Sequence, residues 1–77
     1  MKITILFFGQ LTDITGTSSI KLTDISDTDD LKNRLQQQFP ALRKMTFSTA
    51  INKQIIHQNT LLKSEDEVAL LPPFSGG

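Results

Sequence analysis

The 77-residue chain predicts an α+β fold: a mixed sheet of about four or five strands packed on a single amphipathic helix. Three observations lead there. Apolar side chains alternate with a period of two near both ends, at Ile3 to Phe8 and at Glu67 to Leu71. Between residues 25 and 40 the period lengthens to a helical one. Turn-forming residues, at Gly9, Gly16 and Asn52-Lys53, separate these stretches.

Residues 3–8 are rich in β-branched and aromatic side chains and read as the first strand. Ile3, Ile5 and Phe7 share one face and form the natural core set; Lys2, Thr4, Leu6 and Phe8 share the other. Leu6 and Phe8 therefore need a second cover. Residues 10–16 make a polar connection that can hold a short helical turn. Ser18 to Thr23 alternates as a half-buried strand, so the first two strands suggest a hairpin.

Several N-cap candidates crowd residues 25–30, with acids suited to the first turn of a helix. Leu31, Leu35 and Phe39 follow at i, i+4 and i+8, a single apolar stripe, and Pro40 ends it. Phe47 to Ile51, an Asn52-Lys53 turn and Gln54 to His57 form a second, less regular hairpin. Leu61-Leu62 is a short connector, Glu65-Asp66-Glu67 a solvated turn, and Glu67 to Leu71 the last strand. If the sheet closes around the helix, the first and last strands are neighbours. Residues 1–77 make one domain, from which residues 72–77 protrude as a tail.

Composition removes most kinds of chemistry. Eight basic residues balance eight acidic ones, and no Lys/Arg cluster stands out, which argues against nucleic acid or an anionic membrane as partner. The absence of cysteine excludes disulfides, thiolate metal sites and thiol nucleophiles. No apolar run approaches the roughly 20 residues needed to span a bilayer. The start lacks the features of a secretory signal, so a cytoplasmic location is expected. His57 is the single histidine and has no companion at metal-ligand spacing; a structural or merely exposed role is expected. No metal and no bound cofactor are expected.

The tail, Pro72-Pro73-Phe74-Ser75-Gly76-Gly77, is the informative segment. Two prolines cannot donate to a sheet ladder, so pairing stops and the backbone is set toward polyproline II. A stiff stalk results, followed by Phe74 with no evident core to join. The bland alternative is a frayed terminus. The functional one is a probe: without Cβ atoms, Gly76 and Gly77 can enter a channel too narrow for other residues, with the terminal carboxylate leading. Phe74 then serves as an apolar anchor. The stalk, the anchor and the lack of other chemistry favour the probe.

These segments resemble the sulfur carrier (small) subunits of molybdopterin synthase, within the ubiquitin-like β-grasp superfamily. The resemblance spans the chain. Its most specific parts are Leu6-Phe7-Phe8-Gly9-Gln10 and Asp66-Glu67-Val68-Ala69-Leu70-Leu71-Pro72-Pro73-Phe74-Ser75-Gly76-Gly77, with Ala50-Ile51-Asn52 resembling the mid-chain hairpin. Ser64-Glu65 departs from the glycine turn that the family often has there. The resemblance implies that Gly77 is the reacting residue, adenylated by an ATP-dependent, E1-like partner and converted by a sulfur donor protein to a thiocarboxylate. It also implies docking to the large catalytic subunit in a heterotetramer of two small and two large chains, which supplies the catalytic side chains. Leu6, Phe8, Leu71, Pro72, Pro73, Phe74, Ser75 and Gly76 are then the partner-binding residues. Phe8 is left between that role and a place in the core. Rival readings are a thiamine-pathway sulfur carrier, a ubiquitin-like tag joined to lysines, and a binding module with an inert tail.

Overall fold

In the computed structural model, which describes residues 2–72, the chain runs β1 (Lys2–Phe7), α1 (Leu11–Thr15), β2 (Ser19–Thr23), α2 (Thr28–Gln38), a 3-10 helix (Pro40–Lys44), β3 (Ser48–Ile51), β4 (Gln54–Ile56) and β5 (Glu67–Leu71). The five strands form one sheet in the order β2-β1-β5-β3-β4. β1 runs antiparallel to β2 and parallel to β5, and β3 is antiparallel to both β5 and β4. The sheet is mixed, and the first and last strands are neighbours, as expected for a sheet that closes around the helix.

The alternation in β1 works as written. Ile3 and Ile5 are fully buried and Phe7 nearly so, while Thr4 and Leu6 are half-buried on the opposite face. Val68 and Leu70 extend the same buried face from β5, each directly opposite its β1 partner: Ile5 faces Val68, and Phe7 faces Leu70. On this face lies α2. Its N-cap is Asp27, whose carboxylate accepts a 2.8 Å hydrogen bond from the Asp30 amide. Thr28, Leu31 and Leu35 are its buried residues. The Arg34 guanidinium donates to the carbonyls of Thr23 and Asp24 at 3.0 and 2.7 Å, fastening the helix to the end of β2.

The third member of the apolar stripe departs from expectation. Phe39 lies just beyond α2, with φ −127, because the proline that follows disfavours helical backbone at the preceding residue. Its ring still reaches the core, edge-on to Phe7 with centroids 6.0 Å apart. Pro40 then opens a 3-10 helix that buries Leu42 completely, a core residue that no periodicity announced. The polar connection at residues 10–16 contributes α1 and a fully buried Leu11.

Strand ends differ by a residue. Ser18, Phe47 and His57 lie just outside β2, β3 and β4, and Phe8 lies outside β1. Asn52 and Lys53 form the second hairpin with φ of 49 and 73, the left-handed pair of a type I′ turn. The Glu65-Asp66-Glu67 turn is more ordered than a solvated one. Asp66 accepts hydrogen bonds from the Lys63 amide (2.8 Å) and the Asn52 side-chain amide (3.0 Å), and Glu65 has φ 71. The Leu61-Leu62 connector is split: Leu62 joins the core, and Leu61 stays exposed although its backbone pairs with Asp27.

Candidate functional site: the open sheet face and the root of the tail

The sheet has one face under α2 and one face open. Register decides what the open face carries. Leu6 of β1 pairs with Ala69 of β5, Ala69 with Ala50 of β3, and Ala50 with Ile55 of β4. An apolar row, Leu6–Ala69–Ala50–Ile55, therefore crosses four strands. Leu6 and Ala69 are half-buried and Ile55 is 45% exposed. Ala50, at the middle of the row, is buried, so the accessible part of the face is carried by Leu6, Ala69 and Ile55.

One step nearer the end of β5 comes Leu71, half-buried on the same open face and paired with Ser48. Phe8 lies beyond the last residue of β1, yet its amide donates to the Leu70 carbonyl at 3.3 Å, so the ladder continues past the strand end. Its side chain is 44% exposed, which answers the question left open above: Phe8 is not a core aromatic.

Next in the chain, Pro72 ends the ladder. Its ring rests over Gly9, whose φ of 57 is left-handed; a Cβ on Gly9 would come within 2.8 Å of Pro72 Cγ. The turn beneath is held by its own hydrogen bonds. The Gly9 carbonyl accepts from the Thr12 amide and hydroxyl at 3.1 and 2.8 Å, and the Phe8 carbonyl accepts from the Leu11 amide at 3.1 Å.

Of the expected site residues, the structure thus gathers Leu6, Phe8, Leu71 and Pro72 around the adjoining ends of β1 and β5. Pro73, Phe74, Ser75, Gly76 and Gly77, including the expected reacting residue, lie outside the described residues. Ala50, Ala69 and Ile55 were not foreseen as part of the face. Their positions follow from cross-strand register, which the sequence pattern alone does not supply.

Among the described residues no group of three His, Asp or Glu side chains could hold a metal ion. His57 is exposed and lines a groove of about 360 Å³ together with Asp29, Lys32 and Asn59. No described helix is long and apolar enough to cross a membrane. What the arrangement offers is recognition: an apolar face beside a firmly seated root from which the tail departs.

The family model described as the ThiS family matches residues 5–77. The chain is 32% identical over 82 residues to the molybdopterin synthase sulfur carrier subunit of Mycobacterium tuberculosis, covering 100% of this chain and 99% of the relative. It is 32% identical over 83 residues to the subunit of the same name from Chlamydomonas reinhardtii, covering 100% of both. Among solved structures, it matches a chain in the protein–protein complex of subunits 1 and 2 of molybdopterin-converting factor from Helicobacter pylori, with TM-score 0.75, 28% identity and 100% of both chains covered. It also matches small archaeal modifier protein 1 from Methanosarcina acetivorans, with TM-score 0.84, 27% identity, and 99% and 96% of the two chains covered. The architecture is the ubiquitin-like β-grasp.

Proposed function

The chain belongs to the ThiS family, and on that premise we propose that it is the sulfur carrier subunit of a molybdopterin synthase. The observation that carries the reading is the junction at Leu71-Pro72, where the central strand β5 delivers the chain from an apolar face into the segment that ends in Gly76-Gly77. The whole-length similarity to subunits named as sulfur carriers supports it.

A free carboxylate is a poor electrophile. An E1-like partner therefore transfers AMP from ATP to the Gly77 carboxylate, releasing pyrophosphate. A persulfide on a donor protein attacks the acyl carbon and expels AMP, giving an acyl disulfide. A donor thiol then cleaves its S–S bond and leaves the thiocarboxylate on Gly77. In the large subunit's active site that sulfur attacks the pterin precursor, and water cleaves the resulting acyl–sulfur bond to restore the Gly77 carboxylate. Two carriers serve the two sulfurs of the dithiolene, in an assembly of two small and two large subunits. The chain holds no cofactor of its own and supplies no catalytic side chain. Its dependence on ATP and on a persulfide donor fits a cytoplasmic location.

The domain's contribution is placement. Leu6, Phe8, Leu71 and the newly found Ala69 and Ile55 form the surface for the large subunit, in keeping with the subunit 1–subunit 2 complex of the Helicobacter pylori relative. Aromatic and aliphatic anchors of this kind dominate interface energetics. Holding the tail's origin fixed brings the reacting carbon to the acceptor already oriented.

A second reading, a tag joined to lysines, draws on the similarity to a protein named a modifier. Both readings begin with adenylation of Gly77 and diverge at the product. Accurate-mass analysis of the C-terminal peptide from protein purified from its own cells tests the proposal: one oxygen replaced by sulfur is expected. A population of isopeptide conjugates with no thiocarboxylate would favour the tag. Reconstitution with a molybdopterin synthase large subunit, rather than the thiazole-forming enzymes of thiamine synthesis, separates the two carrier pathways.

A further inference from the structure

We infer that Gly9 is a positioning residue for sulfur transfer: its bare Cα forms the seat on which the Pro72 ring rests, and so sets the direction in which the tail leaves the domain. Gly9 stands at the end of β1 and Pro72 at the end of β5, and the two are brought together by the parallel β1–β5 pairing. A Cβ at Gly9 would lie 2.8 Å from Pro72 Cγ, 3.6 Å from Cδ and 3.8 Å from Cβ. The first distance is a collision, the last an ordinary contact. Relief has to come from Pro72, by pucker or tilt of its ring, because the turn beneath it is fastened. The Phe8-Gly9 turn is bound to β5 through the Phe8 amide and to α1 through Thr12, and the proline ring has no free φ to rotate.

Gly9 thus answers two separate demands. Its φ of 57 favours glycine for reasons of backbone sterics alone. The room it leaves for Pro72 is a second demand, unrelated to the first. The functional meaning of that room rests on the carrier reading. Pro72 is the residue from which the tail toward Gly77 starts, so tilting it changes the direction in which the tail sets out.

A double-mutant cycle separates the two demands. Gly9→Ala, Pro72→Ala and the combined variant are each charged as thiocarboxylate and mixed with large subunit and pterin precursor in single turnover, with thermal unfolding followed in parallel. Gly9→Ala is expected to slow transfer about tenfold, since small misplacements of a reacting group are costly. The combined variant is expected to transfer no more slowly than Pro72→Ala alone, because removing Cγ and Cδ removes the collision. The unfolding midpoint should behave differently: the backbone strain at Gly9→Ala persists in the combined variant. Rates that fall multiplicatively in the combined variant, in step with the loss of Tm, overturn the inference.

A second measurement does not depend on sulfur chemistry. The chain has no cysteine, so Ser75→Cys gives a unique position for a nitroxide label. Paramagnetic broadening of backbone amides then reports where the tail points, and Gly9→Ala should redistribute it. An unchanged pattern overturns the inference. A wild-type chain that accepts no sulfur overturns only the carrier reading, and the label still tests the seat.

Discussion

Asn52 and Asp66 tie the turn of the β3–β4 hairpin to the turn that launches β5. The Asn52 side-chain amide donates to Asp66 Oδ1 at 3.0 Å, and its Oδ1 accepts from the Glu67 amide at 3.0 Å. The Asn52 backbone amide donates to the Glu67 carbonyl at 2.8 Å. Asn52 also holds φ 49, a conformation asparagine tolerates better than other non-glycine residues. Asn52→Ala loses the side-chain bonds and adds backbone strain, and should destabilise the domain by about 2 kcal/mol. Asn52→Gly loses only the bonds and should cost about 1 kcal/mol. Urea denaturation of the two variants checks the ordering; equal losses would remove strain from the explanation.

Glu65 and Lys53 are exposed and left-handed, with φ of 71 and 73. Neither side chain is suited to that backbone. Glu65→Gly and Lys53→Gly are each expected to stabilise the fold by about 0.5–1 kcal/mol, relief of strain outweighing the extra freedom of glycine in the unfolded chain. A fall in the unfolding midpoint would show that the entropy term wins.

The docking face can be probed without disturbing the core, because Phe8 and Ile55 are about half exposed. Phe8→Ser should weaken large-subunit binding by about 1–3 kcal/mol while the unfolding midpoint stays nearly unchanged. Ile55→Ser tests the far end of the apolar row and should weaken binding less. Calorimetric titration reads both. Unchanged affinity for Phe8→Ser would mean that the partner docks elsewhere.

Deleting Gly77 is expected to abolish sulfur transfer and leave the unfolding midpoint where it was, because the core described here is built from residues 3–70. Molybdopterin formation by the truncated chain in a reconstituted synthase would sink the carrier proposal.

Most of the fold was legible because its strands and α2 bury one face each, and a one-faced element writes its period into the sequence. Ile3, Ile5 and Phe7 could be assigned to the core from alternation, and Leu31 and Leu35 from helical spacing; in the last strand both faces are apolar, and pairing with β1 decided that Val68 and Leu70 point inward. Leu42 could not, because a five-residue 3-10 helix is too short to show a period. The exposed Phe8 was half legible: alternation put it opposite the core, but only the end of β1 at Phe7 decided its environment. Ala50 and Ile55 joined the open face through register, which depends on the turn at Asn52-Lys53 and on long-range pairing. The seat of Pro72 on Gly9 was illegible for the same reason, since it joins the opposite ends of the chain.

The parallel pairing of β1 with β5 also bears on how the molecule comes into being. β5 is synthesised last among the strands yet sits between β1 and β3. Until it arrives, both of those neighbours present unpaired edges, and the contacts that close the sheet span nearly the whole chain. Such non-local closure slows folding and leaves a nascent or truncated chain prone to edge-to-edge association. The strand that completes the sheet is also the one that carries the tail. Folding to completion and presentation of the tail root on its seat are therefore a single event.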